Sequence, residues 1–376
     1  MRHVSAGIRD ENSPAVIIAV LKGQRMKTVL ETRQAWIRGL FPDGIPRLWC
    51  PLLTHYGPDG AIDFGRMEAH LDAISPWVGG YLIPGSTGDG WELDEEETLR
   101  VTEFALAQVR RRGARLLIGV LRGKTADVQK TLSGLLEITG IPKGKAGEEK
   151  TARAWGKLGV AGFTVCPPAG NTLTQADIEA GLSAILDRGL PTALYQLPQV
   201  TESEVAPETF ARLVAKYPRI VFFKDSSGGD RIAASDVDKG GVFLVRGAEG
   251  DYARWLREAD GLYDGFLLST ANCFARELSK VVKGMETDNE RTAVMLSRRL
   301  TDTINEVFTI VRPLRSGNAF TNANKAMDHF LAFGPKADVD RGPMLHAKER
   351  IPGDILAATR EVLRRHALLP VKGYLV

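Results

Sequence analysis

From Ile45 onward the chain alternates short apolar, β-rich runs with longer segments of helical period. That rhythm belongs to consecutive βα units, whose strands lie parallel in one sheet. The spacing predicts strands over Arg47 to Leu53, Gly80 to Pro84, Arg115 to Leu121, Gly162 to Cys166, Thr192 to Gln196, Ile220 to Lys224, Val242 to Val245 and Tyr263 to Leu268. An open doubly wound sheet usually stops at about five or six strands, whereas eight βα units close on themselves. No G-x-G-x-x-G follows the first run, so the dinucleotide-binding alternative lacks its fingerprint. The fold class expected is therefore α/β: a (β/α)8, or TIM, barrel with extra C-terminal helices and an N-terminal extension.

Helix signals fall between the runs. Asp63 precedes Met67, Leu71 and Ile74 on one face, and Asp94-Glu95-Glu96-Glu97 sets carboxylates where a helix N-terminus favours them. Thr174-Gln175-Ala176-Asp177 and Pro207-Glu208 look like two further starts. Residues 1–44 form an extension with an amphipathic helix, 45–286 the barrel, and 287–376 a mostly helical region. Ile141 to Glu149, with Pro142, Gly144 and Gly147, reads as a loop inserted between the third and fourth strands.

Composition narrows the partners. The 49 basic and 46 acidic residues are interspersed, so nucleic acid is not expected. Cys50, Cys166 and Cys273 are far apart, without Cys-x-x-Cys spacing, which suits a reducing compartment. The run Ala15 to Leu21 has the length of a signal-peptide core, but Arg9, Asp10 and Glu11 precede it and no small-residue cleavage site follows. No apolar run reaches the roughly 18 residues of a membrane span. A cytoplasmic protein without membrane partners is expected.

In a parallel barrel, chemistry sits where strands end at the C-terminal face. Three places qualify. Lys224 ends the sixth strand on the same face as Phe222, while Asp225 points the other way. A lysine walled by apolar groups loses solvation and its amine pKa falls, as a Schiff-base nucleophile requires. Tyr195 ends the fifth strand beside the small Ala193, where a phenol can shuttle protons. After the second strand comes Gly85-Ser86-Thr87-Gly88-Asp89-Gly90, whose glycines and hydroxyls can hold an anion. Each has a plain alternative: a solvated lysine, a rim tyrosine that forms β-structure well, and an ordinary glycine-rich turn.

Taken together, Gly85-Ser86-Thr87-Gly88-Asp89 with Leu93 and Glu95-Glu96, Tyr195-x-x-Pro198, and Lys224-Asp225-Ser226-Ser227-Gly228 resemble the dihydrodipicolinate synthase and N-acetylneuraminate lyase family of class I aldolases. Asp59-Gly60-x-Ile62-Asp63 and Gly265-x-x-x-Ser269-x-x-Asn272 extend the likeness, which runs in order from about residue 45 to 370. The resemblance implies a Schiff base between Lys224 and the ketone of a 2-oxo acid. It implies Tyr195 as proton relay, with Thr87 also part of that relay, and Gly85, Ser86 and Thr87 around the substrate carboxylate. It implies no metal and no organic cofactor, because the iminium is the electron sink. A homo-oligomer, a tetramer or dimer, is also implied.

The departures bear on the substrate. Dihydrodipicolinate synthases carry a tyrosine pair after strand four, one member reaching the neighbouring subunit's site; here the strand runs into Cys166-Pro167-Pro168-Ala169-Gly170. Val200 stands where they place an arginine, Asp89 where glutamate is usual and Gln196 where asparagine is common. The expected activity is a lyase or aldolase acting on pyruvate or a longer 2-oxo acid of sugar-acid type. Dehydration of a 2-keto-3-deoxy sugar acid and a non-catalytic binding barrel are the alternatives.

Overall fold

A computed structural model describes residues 14–140, 148–287 and 289–376. Eight parallel strands close a barrel in chain order: β1 (Leu48–Cys50), β2 (Gly80–Ile83), β3 (Arg115–Gly119), β4 (Val160–Val165), β5 (Thr192–Gln196), β6 (Ile220–Asp225), β7 (Phe243–Arg246) and β8 (Gly265–Leu267). All eight strands overlap the runs the periodicity predicts, but β1, β2, β3 and β8 are shorter and β4 begins two residues earlier, at Val160. Pro51 has no N–H for the ladder, and Asn272 takes over beyond it, accepting from Leu53 N at 2.9 Å and donating to the Pro51 carbonyl at 2.9 Å. At β8, Asp264 N donates to the Leu244 carbonyl at 2.9 Å while its carboxylate accepts from Leu244 N at 2.8 Å, and the paired register with β7 begins at Gly265.

The helix starts carry the caps their sequences announce. Asp63 caps Phe64–Ile74, Asp94 and Thr174 form capping boxes on Glu95–Arg112 and Gln175–Leu186, and Pro207 opens Pro207–Lys216. Their buried stripes pack on the sheet. On β6 the alternation is visible directly: Phe222 meets Trp49 (5.2 Å between ring centroids), Phe243 (5.3 Å) and Phe41 (5.7 Å), while Phe223 packs outward on Phe210 of the Pro207–Lys216 helix (4.9 Å). Lys224 therefore shares the inward face.

The N-terminal helix, Pro14–Leu40, packs chiefly on the helix that precedes β4, Trp36 meeting Trp155 edge-on, and also reaches β6 and the Pro207–Lys216 helix. Its Arg33 is buried and donates to the carbonyls of Val214, Tyr217, Ile220 and Gly240, closing the C-terminus of the Pro207–Lys216 helix. Desolvation brings that guanidinium down to about 10, yet four carbonyl acceptors hold it. The run Ala15 to Leu21 lies in this helix, whereas Arg9, Asp10 and Glu11 lie outside the described residues. Of the inserted loop, residues 141–147 also lie outside them, and Glu148 and Glu149 correct the prediction by opening a helix, Glu148–Lys157. The reason is not local: Glu148 is held by Arg219 at 2.9 Å and by the Trp36 indole, both from distant segments. Beyond β8 and its helix Ala271–Met285 come the helices Glu290–Val311, Ala319–Phe333 and Gly353–Arg365. Among the described residues no helix is long and apolar enough to cross a membrane.

Candidate active site

Lys224 sits near the end of β6 with only 4% of its surface exposed. Burial brings its amine down to about 7, partly opposed by Cys166, Glu249 and Cys50 nearby. Neutral amine is thus abundant at ordinary pH, which is the state that attacks a carbonyl. Gly247, just after β7, makes room for this side chain. A Cβ there would meet Lys224 Cε at 2.7 Å and would overlap Ser226 Oγ.

Tyr195 is paired with Lys224 in the β5–β6 register, and the lysine Nζ lies 3.8 Å from the centroid of the phenol ring. The phenol is buried, which raises its pKa, and its Oη lies 3.3 Å from Ser86 Oγ. Ser86 and Thr87 belong to a short 3-10 turn, Ser86–Gly88, that follows the extended Gly85. Both hydroxyl residues are buried. The fold thus brings Lys224, Tyr195 and Ser86 together from β6, β5 and the loop after β2, with Gly85 and Thr87 flanking Ser86 in that loop. Ser86 is the hydroxyl that meets the phenol.

Sequence patterns did not reveal what holds that loop. Asn318 Nδ2 donates to the Ser86 carbonyl at 3.0 Å, and Thr321 Oγ1 donates to the carbonyls of Ser86 (3.2 Å) and Thr87 (3.0 Å). These residues stand at the N-terminus of the Ala319–Phe333 helix, more than two hundred positions away in the chain, so no local signal could have announced them. Four residues further on, Lys325 pairs with Asp89 at 3.0 Å, and Tyr56 donates to the same carboxylate at 3.0 Å. Asp89 adopts left-handed backbone angles, φ 60°, which a short polar side chain tolerates. Trp91 was also missed. Its indole N–H donates to Ser86 Oγ at 2.9 Å.

On the opposite side, Glu249 follows β7 and gathers donors from the end of β8. Its carboxylate accepts from Ser269 Oγ (2.6 Å), Thr270 N (3.0 Å), Thr270 Oγ1 (2.6 Å) and Tyr252 Oη (2.9 Å). Its charge is close enough to act on Lys224. Asp225, on the outward face, does not pair with Lys224; Ser227 N and Oγ donate to it at 2.9 and 2.6 Å. Burial raises the Asp225 pKa.

The residues at the two telling departures sit as follows. Val200 is 40% exposed and carries no donor. Pro168 follows β4, and its carbonyl accepts from Ser203 Oγ at 2.6 Å. One group of metal-ligating type occurs among the described residues, His55, His70 and Asp328. Its carboxylate already accepts from Arg66 at 2.5 Å and Tyr374 at 2.9 Å, and His55 bonds to His70 at 3.0 Å. A second cation there would oppose the Arg66 guanidinium.

Residues 139–321 match the Dihydrodipicolinate synthetase family. The chain is similar to the 4-hydroxy-tetrahydrodipicolinate synthase of Xanthomonas campestris pv. campestris, 33% identical over 216 residues, 56% of this chain and 64% of that protein. That of Xanthomonas axonopodis pv. citri is 32% identical over 197 residues, covering 52% of this chain and 58% of the relative. The alignments with these two relatives thus span less than two thirds of their lengths. The Dehalococcoides mccartyi synthase is 25% identical over 338 residues, 87% of this chain and 98% of its own. Among solved structures, YagE, a prophage protein of the dihydrodipicolinic acid synthase family from E. coli K12 in complex with pyruvate, has the same fold. Its TM-score is 0.66 at 17% identity, covering 86% of this chain and 99% of YagE.

Proposed function

We propose, from the premise that the chain belongs to the Dihydrodipicolinate synthetase family, that it is an enzyme that joins the Lys224 amine to the ketone of pyruvate or a longer 2-oxo acid. It then makes or breaks a carbon–carbon bond beside that carbon. The observation that carries this is the pairing of a buried Lys224, its amine down at about 7, with a phenol whose hydroxyl meets Ser86.

The following steps are proposed. The substrate carboxylate docks on the Ser86–Thr87 turn, where two hydroxyls and the turn's N–H groups offer donors. Lys224 adds to C2, and the oxygen leaves as water after receiving protons through Tyr195. In the cleavage direction the iminium draws the electrons of the C3–C4 bond while the C4 hydroxyl gives its proton to the Tyr195 relay. An aldehyde departs. The enamine left on Lys224 is protonated at C3, and water returns pyruvate and the free amine. Ser86, whose hydroxyl meets the phenol, carries the relay to the substrate with Thr87 beside it, and neither metal nor organic cofactor takes part because the iminium holds the electrons.

The finer assignment is a sugar-acid type substrate. Hydroxyls that donate to a carboxylate keep only lone pairs for anything else. Ser269 and Thr270 donate to Glu249 and are themselves buried, so what this side of the site presents near Lys224 is the Glu249 carboxylate, an acceptor and a negative charge. Such a surface suits a polyhydroxylated chain and repels a second carboxylate. The reading also includes a cytoplasmic homo-oligomer, a tetramer or dimer, with a small-molecule partner.

The test is incubation with pyruvate and borohydride, then peptide mass analysis. A reduced pyruvyl adduct on the peptide containing Lys224 is expected, and a folded protein without it overturns the reading. Turnover of 2-keto-3-deoxy sugar acids separates its branches: pyruvate plus an aldehyde marks the lyase, loss of water without cleavage marks the dehydratase, and binding without turnover marks a barrel that does no chemistry.

A further inference from the structure

We infer that Trp91 is a positioning residue of the proton relay, an inference that rests on the Schiff-base reading above. The Ser86 hydroxyl has one proton and two lone pairs. Trp91 Nε1 donates into one lone pair at 2.9 Å, and an indole N–H can donate but never accept. Ser86 therefore cannot turn its proton toward Trp91. Only two directions are left for it: Tyr195 Oη at 3.3 Å, or a substrate oxygen on the turn.

When a carboxylate takes the Ser86 proton, the second lone pair faces Tyr195, and the phenol becomes the donor. When the carboxylate leaves, Ser86 can donate to the phenol instead. Trp91 so restricts the hydroxyl to the two states that move a proton along the line Tyr195–Ser86–substrate. The indole keeps its own proton at ordinary pH, so it orients the relay and carries nothing through it.

A second observation supports the assignment. Trp91 and Phe320 are half-buried and pack on the cluster of Leu121, Cys166, Tyr195 and Leu197. The same indole that fixes the Ser86 hydroxyl covers the group around the phenol, which limits exchange of its proton with water. Tyr195, Ser86 and Trp91 all lie within one chain.

The experiment uses the full-length protein as wild type, Trp91→Phe, Ser86→Ala and the double variant. Two quantities are read with pyruvate as probe: borohydride trapping on Lys224, and exchange of the pyruvate methyl protons in D2O by NMR. Phenylalanine keeps most of the packing and removes the donor. The expected result is full trapping in Trp91→Phe, with a KM for pyruvate within about twofold of wild type, but exchange slower by roughly five- to tenfold, the worth of one hydrogen bond. In the Ser86→Ala background the same change should alter exchange by less than about twofold, because the partner is already gone. Equal losses in both backgrounds, or unchanged exchange in Trp91→Phe, would overturn the inference, since packing alone then accounts for Trp91. Absence of any adduct in the wild type sinks the Schiff-base reading and the relay with it. An adduct in all four proteins with additive losses sinks only Trp91's role.

Discussion

Lys325, in the last part of the fold, and Asp89, in the loop after β2, form an ion pair of 3.0 Å in which the two side chains are 0% and 1% exposed. The pair ties the Ala319–Phe333 helix to the turn that presents Ser86 and Thr87. Removing one member of a buried pair leaves an uncompensated charge, at a cost of about 3 to 5 kcal/mol. Lys325→Met should lower the denaturant midpoint accordingly and raise KM for the 2-oxo acid. Pairing it with Asp89→Asn should recover much of the stability. A single variant as stable as wild type would show that the loop is held by Asn318 and Thr321 alone.

The Lys224 amine, brought by burial from 10.5 down to about 7, makes two statements about pH. Adduct formation needs the free amine, so its initial rate with pyruvate should climb as pH rises to about 7 and level off above it. An exposed lysine would keep climbing toward 10.5. For stability the sign is the reverse of a salt-bridged lysine. Between about 7 and 10.5 the unfolded chain binds the proton that the folded chain lacks, so this group's destabilising contribution is full below about 7 and fades as pH rises through that window. Lys224→Met should therefore raise the melting temperature at pH 7 and flatten its rise with pH. Trapping rates that keep climbing well above pH 8 would place the amine in a solvated setting.

Gly247 offers a sharper probe of the same side chain. A methyl group there would lie 2.7 Å from Lys224 Cε and would overlap Ser226 Oγ. Gly247→Ala should fold, since Gly247 has ordinary negative backbone angles, yet should lose most of the borohydride-trapped adduct because the lysine is pushed from its place. Wild-type trapping in this variant would show that the lysine can shift aside at little cost.

Much of this was legible in the sequence because it rests on local pattern. The eight apolar runs set the barrel, and alternation along Val221-Phe222-Phe223-Lys224-Asp225 placed the lysine inward and Asp225 outward. Caps at Asp63, Asp94 and Thr174 are local chemistry and read directly. The groups that support the site are not local. Asn318, Thr321 and Lys325 reach the loop only because the C-terminal helices fold over the barrel mouth, and Glu249 meets Ser269 and Thr270 only through the β7–β8 neighbourhood. Glu148 reads as loop from sequence for the same reason, since Arg219 and Trp36, which fix it in a helix, come from distant segments.

Tyr195 donates or accepts only at its phenol, so Tyr195→Phe isolates the relay from packing. General acid–base groups contribute roughly 10² to 10⁴-fold in rate. The variant should lose kcat by that order, with its melting temperature nearly unchanged because the ring still packs on Leu121, Cys166 and Leu197. An unimpaired kcat would leave Tyr195 as a packing residue under Lys224.

The substrate's far end is where the chain should part from the dihydrodipicolinate synthases. Condensing pyruvate with aspartate semialdehyde requires a second carboxylate to be held near the barrel mouth. Val200, 40% exposed and without a donor, stands where an arginine would hold it. Pro168 offers no hydroxyl where a tyrosine would serve the relay. Losing one charge-assisted hydrogen bond costs about 1.5 to 3 kcal/mol, or some ten- to hundredfold in affinity. The Glu249 carboxylate, close enough to act on Lys224, adds repulsion. Cleavage of 2-keto-3-deoxy sugar acids and of sialic acid should be measured beside the condensation with aspartate semialdehyde. The condensation is expected to fall below the roughly 10⁴ M⁻¹s⁻¹ floor of ordinary kcat/KM values, and at least one sugar acid to exceed it. Glu249→Gln should then weaken sugar-acid turnover, mainly through KM, while leaving the condensation no worse or slightly better as the repelling charge is lost. Efficient condensation in the wild type, or a Glu249→Gln variant that impairs both reactions equally, would show that the mouth is built for the semialdehyde after all.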